Sequence, residues 1–265
     1  MADSFPLPAR AEALRALLQA AGHAALEHFG RGDPRRKPDG TLLTDADLAA
    51  EAVLLAGLAA TWPTDTLISE EGGTTGGPGP ARWVVDPLDG TSSFTEGLAH
   101  WGPTVARIVP GRAGESVELG ALYLPRLAEH FHVEGGVAWM NGVRMPPLAA
   151  RRPPRVVYLP SAFHRHLDVD FAGKARCLGG TAAHLALVAR GSAAFAIVAP
   201  GWSVWDAAAG LAMIEAVGGC ALRFPDGAPL DPLRDTGFAF VAGEAETVRG
   251  ILSGGRLKLK GAPDV

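Results

Sequence analysis

Apolar side chains recur at helical spacing in the N-terminal part of the chain. The pattern predicts an amphipathic helix from Ala9 to Phe29. Its apolar stripe consists of Leu14, Leu17, Leu18, Ala21 and Ala25. A second helical pattern runs from Leu48 to Thr61, and Thr44-Asp45-Ala46-Asp47 before it has the form of a capping box. We therefore expect Asp47 in the first turn of this second helix.

The middle of the chain changes to strand patterns. Short apolar and β-branched runs between turn signals predict an antiparallel sheet, and these runs are Thr104 to Val109, Ser116 to Tyr123 and Ala128 to Val133. The earlier connection from Gly72 to Pro80 is rich in glycine, so its composition indicates a mobile segment that could form a flap.

From Arg155 onward, strands alternate with helices, which is typical of an α/β unit. The predicted strands are Val156 to Leu159, Arg176 to Leu178 and Ala194 to Val198. A proline-rich, basic stretch from Pro146 to Pro154 lies just before this change. We therefore predict an N-terminal α+β half, residues 1–145, and a C-terminal α/β half, residues 146–265.

Candidate chemistry centres on the stretch from Trp83 to Phe94. The apolar run Trp83-Val84-Val85 predicts a buried strand, and Pro87 predicts its end because proline lacks the backbone donor. Asp86 and Asp89 then stand together at the end of a strand. Carboxylates placed in this way can hold a hard cation such as Mg²⁺.

The residues after this acid pair can bind an anion. Gly90, Thr91 and Ser92 can present backbone N–H groups, because glycine allows close approach and successive amides form a nest. A metal beside a phosphate is the arrangement that metal-assisted phosphoryl transfer requires. A plain Asp-Pro and Asp-Gly turn accounts for the same residues, so both interpretations stay open at this point.

Further acids stand at other element ends. Glu70 and Glu71 follow a short predicted strand, and adjacent residues there point in different directions, so we expect at most one of them in a shared site. Ser203-Val204-Trp205-Asp206 has capping-box form, like the segment that contains Asp47. A solvated acidic turn and ordinary helix caps explain these acids equally well. Gly179-Gly180-Thr181 precedes a predicted helix and could bind an anion or a substrate hydroxyl.

Composition narrows the class of protein. The 265 residues allow one large or two smaller globular domains, and the net charge of −4 argues against nucleic-acid binding through a basic surface. We find neither a leader pattern nor a membrane-spanning run, and we expect a cytoplasmic protein without a membrane partner. Two cysteines, Cys177 and Cys220, are too few for a disulfide framework, and we expect buried, reduced thiols. Zinc, ATP and serine-hydrolase motifs are absent from the sequence.

Taken together, four separated segments resemble the inositol monophosphatase family. They are Lys37 to Asp47, Ile68-Ser69-Glu70-Glu71-Gly72, Trp83 to Phe94, and Trp205-Asp206-Ala207-Ala208-Ala209-Gly210. The resemblance covers nearly the whole chain in the right order. It implies a layered αβαβα sandwich of the inositol monophosphatase and fructose-1,6-bisphosphatase type, usually dimeric, that hydrolyses small phosphate monoesters with Mg²⁺.

The resemblance also implies a role for each matched residue. The metal ligands would be Glu70, Asp86, the Leu88 carbonyl, Asp89 and Asp206. Catalysis would rest on Asp47, Thr91 and Glu70, with Asp47 and Thr91 orienting and activating the attacking water. The substrate would be bound by Asp89, Gly90, Thr91, Ser92, Thr181, Ala182 and Asp206.

One position departs from the family's pattern. Inositol-specific members carry a glutamate seven residues before the aspartate of the Trp-Asp motif, and Ala199 stands there in this chain. The substrate-selecting residue is thus missing, and the resemblance alone makes inositol 1-phosphate the leading candidate, followed by histidinol phosphate, 3′-phosphoadenosine nucleotides and fructose 1,6-bisphosphate. An alternative of another class is a catalytically idle relative that binds metal as a regulator.

Overall fold

The computed structural model describes residues 9–31, 34–38, 40–111, 114–151 and 154–260. Asp39 of the first family motif, and Arg152 and Pro153 of the predicted boundary, lie outside the described residues. The helices of the described part are α1 Ala9–Leu26, α2 Asp45–Thr61, α3 Thr91–Thr95, α4 Phe163–His166, α5 Thr181–Ala189, α6 Val204–Ala216 and α7 Ala245–Ser253, with a 3-10 turn at Leu148–Ala150. None of them combines the length and the apolar character that a membrane-spanning helix needs.

The larger sheet has eight strands in the spatial order β10-β9-β8-β7-β6-β5-β3-β4. Its strands are β3 Thr66–Ser69, β4 Gly73–Gly76, β5 Arg82–Asp89, β6 Gly102–Gly111, β7 Gly114–Leu124, β8 Glu129–Glu134, β9 Val137–Met140 and β10 Val143–Arg144. Its neighbouring strands pair antiparallel except β3 and β5, which are parallel. The antiparallel sheet predicted for the middle of the chain therefore forms, with one parallel pair beside it.

The smaller sheet has five strands in the order β13-β11-β14-β16-β15. Its strands are β11 Val156–Tyr158, β13 Lys174–Arg176, β14 Phe195–Val198, β15 Gly219–Phe224 and β16 Ala239–Glu244. The first three run parallel, so their carboxyl ends lie at one edge of the sheet. Two small ribbons complete the fold: β1 Arg35–Arg36 with β2 Leu42–Leu43, and β12 Leu167–Val169 with β17 Leu257–Leu259.

Three apolar layers join these elements into a sandwich. The stripe of α1 and the apolar face of α2 pack on the larger sheet, where Leu14, Leu18, Leu54 and Trp83 are fully buried. Helices α5 and α6 fill the space between the two sheets. Helix α7 covers the far face of the smaller sheet through Val248 and Ile251. The layer order is thus αβαβα, which confirms the fold expected from the sequence.

Three local expectations differ from the structure. Strand β5 continues through Pro87 to Asp89 instead of ending at Asp86. Part of the predicted flap, Gly73–Gly76, is an edge strand paired with β3. The Cys177 side chain is exposed and that of Cys220 is partly exposed, so the prediction of two buried thiols was wrong.

Candidate active site

A bulge in β5 brings the two acids of the central motif to one cleft. Along a regular strand, residues three apart point to opposite faces of the sheet. Here Asp86 pairs with Thr104 and Asp89 with Gly102 on β6, so the register shifts between them. The extra residue turns both acids toward the same cleft. Pro87 is tolerated because a bulged residue makes no ladder hydrogen bond.

Three carboxylates converge beside this bulge. One oxygen each from Glu70, Asp86 and Asp206 lie within 4.8 Å of one another. Burial raises the pKa of Asp86 well above its usual value, and the charges of Glu70 and Asp206 raise it further. Burial also raises the pKa of Asp206 to about 6, although the Ser203 amide opposes the shift. These shifts indicate a pocket that favours a cation between the acids.

Asp206 is held in this cluster by its helix cap. The Ser203 N–H donates to Asp206 Oδ2 at 2.7 Å, and Ser203 and Asp206 form a reciprocal capping box at the start of α6. The sequence signal for a cap was therefore correct. The same geometry that begins the helix also fixes the carboxylate at the edge of the cleft.

Asp89 accepts hydrogen bonds from the start of α5. The Ala183 N–H donates to Asp89 Oδ2 at 3.1 Å. Burial raises the pKa of Asp89 to about 7, the Asp206 charge adds to this, and the main-chain N–H groups of Ala183, Ala182 and Thr181 oppose it. The helix start, for which the sequence left an anion or a substrate hydroxyl open, thus binds a carboxylate of the protein itself.

Asp47 and Thr91 form the next part of the site. Thr91 Oγ1 lies 3.1 Å from Asp47 Oδ1 and 3.2 Å from the Leu88 carbonyl oxygen, so its proton can go to either acceptor. Asp47 Oδ2 accepts from the Thr44 N–H at 2.7 Å and from its hydroxyl at 2.5 Å. Burial raises the pKa of Asp47, while the bonds from Thr44 lower it.

The segment after Asp89 turns sharply into α3. Gly90 has a φ of +87°, a conformation that side chains other than glycine rarely adopt. A Cβ at this position would also lie 2.9 Å from the Gly180 nitrogen. Thr91 and Ser92 then begin the helix and line the cleft together with Gly90.

Sequence reasoning did not assign a role to Lys37. Its Nζ donates to Glu70 Oε1 at 2.6 Å and to Glu71 Oε1 at 2.7 Å. Although burial alone lowers the pKa of Lys37, the hydrogen bonds to both glutamates raise it above the usual value. The sequence did offer one signal for this role, because Lys37 lies in a basic loop within the first segment of the family resemblance. Only Glu70 belongs to the three-carboxylate cluster, in agreement with the expectation for adjacent acids.

The open cleft has a volume of about 510 Å³. Its lining includes most of the predicted site residues: Glu70, Asp86, Leu88, Asp89, Gly90, Thr91, Ser92, Thr181 and Asp206. Asp47 reaches the cleft through Thr91. Ala182 is 1% exposed, so its side chain belongs to the core and only its main chain can serve the site.

The donor set suits Mg²⁺. The carboxylates of Glu70, Asp86, Asp89 and Asp206 and the Leu88 carbonyl offer only oxygen atoms as ligands, and hard divalent cations prefer oxygen. The buried, mutually repelling carboxylates need positive charge nearby, and among the described residues only Lys37 provides an ammonium ion that bonds directly to a member of the cluster. The residues of the cluster therefore fit a divalent metal.

Comparison with known proteins identifies the family. The model of the inositol monophosphatase family matches residues 8–249. A histidinol-phosphatase of Chlorobaculum parvum is 34% identical over 222 residues, covering 78% of this chain and 83% of that protein. A fructose-1,6-bisphosphatase/inositol-1-monophosphatase of Thermotoga maritima is 29% identical over 224 residues, covering 78% and 82%. A 3′(2′),5′-bisphosphate nucleotidase of Salmonella typhimurium is 32% identical over 224 residues, covering 76% and 85%.

Solved structures show the same fold. The IMPase of Thermotoga maritima superposes with a TM-score of 0.76 at 24% identity, covering 92% of this chain and 97% of that chain. The extragenic suppressor protein suhB of Bartonella henselae gives a TM-score of 0.78 at 23% identity, covering 93% and 100%. The chain is a phosphatase-family protein by fold and sequence. It belongs to the inositol monophosphatase family.

Proposed function

We propose that the protein is a Mg²⁺-dependent phosphatase that hydrolyses a small phosphate monoester. One observation carries the proposal: three carboxylates within 4.8 Å of one another lie in the same cleft as Thr91. An interaction surface needs neither a buried repulsive cluster nor a hydroxyl bonded to a buried acid.

Each group has a distinct role in this proposal. Glu70, Asp86 and Asp206, with Asp89 and the Leu88 carbonyl, would hold Mg²⁺. When bound, the metal offsets negative charge on the phosphoryl oxygens and on the leaving alkoxide. The main-chain N–H groups of Gly90, Thr91 and Ser92 hold the phosphate oxygens in place, so that the ester bond stands in a fixed orientation.

Thr91 and Asp47 act on the attacking water. The hydroxyl of Thr91 accepts a proton from this water as its own proton passes to Asp47 Oδ1, 3.1 Å away. The pKa of Asp47, raised by burial, makes its carboxylate a better proton acceptor than an exposed one. The two bonds from Thr44 occupy Oδ2 and leave Oδ1 for this transfer.

The alcohol part of the ester, which is the leaving group, is less well defined than the phosphate. Inositol 1-phosphate is the leading substrate by family resemblance, and a second candidate follows from one observation. A second pocket of about 510 Å³ is lined by apolar side chains only: Pro160, Ala162, Phe163, Leu167, Ala199, Pro200 and Ala239. This lining favours an ester with an aromatic or heteroaromatic ring, such as histidinol phosphate or a 3′-phosphoadenosine nucleotide, over a polyol.

Sheet topology supports the assignment of this pocket to the substrate. Pro160, Ala199 and Gly179 all follow parallel strands of the smaller sheet, and the ends of such strands share one edge. The Leu159 N–H donates to the Arg176 carbonyl at 2.9 Å, which joins the segment before Pro160 to the segment before Gly179. Gly179 itself lines the cleft.

A panel of esters tests both parts. We expect phosphate release from at least one ester with Mg²⁺ and none with EDTA, together with inhibition by Li⁺, as in the family. No release from any ester would leave the idle regulator as the function. For the leaving group, Phe163→Ala should lower kcat/KM for the ring-bearing esters and leave glycerol 2-phosphate unchanged; equal loss on every ester would refute the apolar subsite.

The family resemblance also extends to assembly. We propose that the enzyme works as a homodimer in the cytoplasm, and sedimentation velocity at micromolar concentration measures the first point. A sedimentation coefficient that fits a 27.4 kDa monomer at every concentration would exclude the dimer.

A further inference from the structure

His184 is a polar residue inside an otherwise apolar helix. It lies on α5 and is 4% exposed. The other residues of this helix after Thr181 are buried and apolar: Ala182, Ala183, Leu185, Ala186, Leu187, Val188 and Ala189. Burying an imidazole is costly unless its nitrogens are hydrogen-bonded, so a leucine here would fill the space without that cost. Packing alone therefore does not explain a histidine at this position.

The imidazole is hydrogen-bonded to the loop that precedes its own helix. The Leu178 N–H donates to His184 Nε2 at 3.0 Å. Because a backbone amide can only donate, Nε2 carries no proton and the neutral ring has its proton on Nδ1. Burial lowers the pKa of His184 to about 4, with the nearby His100 adding to this, which agrees with a neutral ring.

His184 makes two further contacts, one through its ring and one through its main chain. It stacks on Tyr158 with the centroids 5.0 Å apart and the planes 5° from parallel. The main-chain N–H of His184 donates to the Gly180 carbonyl at 3.1 Å. The backbone and the side chain of one residue thus hold the segment Leu178-Gly179-Gly180 at both ends.

This segment lies against two residues of the proposed site, Asp89 and Gly90. A Cβ added to Gly180 would lie 1.9 Å from Asp89 Oδ2, so the loop backbone is already in contact with that carboxylate. The Gly180 N–H donates to the His100 carbonyl at 3.2 Å, and a Cβ on Gly90 would lie 2.9 Å from the Gly180 nitrogen. A small shift of the loop therefore changes the surroundings of both Asp89 and Gly90.

We propose that His184 is a positioning residue for hydrolysis: its Nε2, by accepting the Leu178 N–H, holds the Leu178–Gly180 segment against Asp89 and Gly90. The proposal rests on the phosphatase function proposed above. His184 touches neither substrate nor metal. It acts by fixing the position of Asp89 relative to the main-chain N–H groups of Gly90, Thr91 and Ser92.

Three substitutions at this position separate positioning from packing. His184→Leu fills the space but accepts no hydrogen bond. His184→Gln can place an amide oxygen where Nε2 now lies, and His184→Asn is polar but too short to reach. We expect kcat to fall between about 10-fold and 100-fold in the Leu and Asn variants with KM changed less, because a misplaced group slows the chemical step. The Gln variant should recover most of the rate.

The matched control is His132→Leu. His132 is also buried, and within the described residues neither of its ring nitrogens has a hydrogen-bond partner, so its loss should leave kcat unchanged. Hydrogen exchange followed by mass spectrometry adds a readout that does not depend on turnover. The peptide containing Leu178 should exchange faster in the Leu and Asn variants than in the wild type and in His184→Gln.

The outcomes are distinct. Wild-type kcat in His184→Leu, or a loss that glutamine does not restore, would overturn the positioning role. If the Leu variant does not fold, the comparison of Gln with Asn decides the question, because equal rates in these two would refute it. Inactivity of the wild type on every ester would instead refute the phosphatase function, while the exchange experiment would still report on the hydrogen bond.

Discussion

Thr91 and Asp47 are 44 residues apart in sequence, and their side chains meet at 3.1 Å between Oγ1 and Oδ1. Asp47 also caps α2 through its other oxygen, which accepts from Thr44. One carboxylate therefore begins a helix and bonds to a residue that lines the cleft. The cap gives the acid a fixed orientation, so that holding it for the proposed proton transfer requires no additional loss of side-chain freedom.

The first prediction concerns this hydrogen bond. Thr91→Val removes the hydroxyl while keeping the shape, and we expect kcat to fall by about 10²-fold or more, since proton transfer by a positioned group contributes on that order. Steady-state phosphate release measures it. Thr91→Ser keeps the hydroxyl and is the matched control, with a rate expected near that of the wild type.

A double-mutant cycle adds a stricter condition. If Thr91 and Asp47 act as one unit, Asp47→Asn combined with Thr91→Val should be little slower than the slower single variant. Losses that multiply would mean that the two residues act independently, which would contradict the proposed transfer from Thr91 to Asp47.

Much of this site could be predicted from local patterns. The capping-box form located Asp47 and Asp206 at helix starts because a cap depends on four consecutive residues. The acids at the end of β5 were visible because an apolar run stops there. The αβαβα fold followed from the family resemblance, since periodicity alone indicates helices and strands but not how layers stack.

Other features depend on contacts that no local pattern contains. The bulge that turns Asp86 and Asp89 to one cleft is set by the pairing of β5 with β6. From the sequence, Pro87 predicted the end of the strand at this point. The hydrogen bond from Ala183 to Asp89 joins the start of α5 to the end of β5 across 94 residues. Lys37 bonds to two glutamates that follow it by 33 and 34 residues. Such partners become visible only when the chain is folded.

The second prediction concerns Asp86. Asp86→Asn removes a carboxyl group whose ionisation is unfavourable in this buried group of acids, so the variant should unfold at a higher temperature than the wild type when no divalent cation is present. Mg²⁺ should raise the unfolding temperature of the wild type, because a ligand that binds only the folded state stabilises it, and should raise that of the variant little or not at all. Turnover should be lost.

Thermal unfolding in EDTA and in millimolar Mg²⁺ tests this expectation. Glu27→Gln, which removes an exposed charge after α1, is the control and should respond to Mg²⁺ as the wild type does. The same Mg²⁺ response in Asp86→Asn as in the wild type would take Asp86 out of the metal site.

The third prediction compares two glycines. Gly180→Ala places a Cβ where Asp89 Oδ2 lies, 1.9 Å away, and the backbone φ of −61° adds no strain of its own. We expect lower stability and a loss of kcat from this steric effect alone. Gly250→Ala lies within α7, where no atom of the described residues outside its own helix backbone and chain neighbours comes within 4 Å of the new Cβ. It should stabilise the protein by about 0.5–1 kcal/mol with unchanged kcat. Urea unfolding and phosphate release measure both, and a fully active Gly180→Ala would show that the loop can move away from Asp89.

The last prediction concerns two buried histidines beneath α1. His130 and His132 are at most 1% exposed, their ring centroids are 5.5 Å apart, and within the described part of the chain their nitrogens have no hydrogen-bond partners. Burial lowers the pKa of His130 to about 3 and that of His132 to about 4, with the Arg15 charge on α1 adding to both shifts and Glu12 opposing the second. Both values lie below the 6.5 of an unperturbed histidine.

The sign of the pH effect follows from these shifts. As the pH falls below about 6.5, the unfolded chain binds protons at both histidines while the folded protein does not. The free energy of unfolding therefore falls until the pH reaches the pKa values of the folded protein. At pH 5 each ring costs about 2 kcal/mol relative to pH 7.5. His132→Leu removes one ring, and the acids that also titrate in this range are common to both proteins. The unfolding free energy of the variant minus that of the wild type, from urea titrations at the two pH values, should therefore be larger at pH 5 by about 2 kcal/mol. The same difference at both pH values would mean that His132 takes up protons equally in the folded and unfolded states, contrary to its burial.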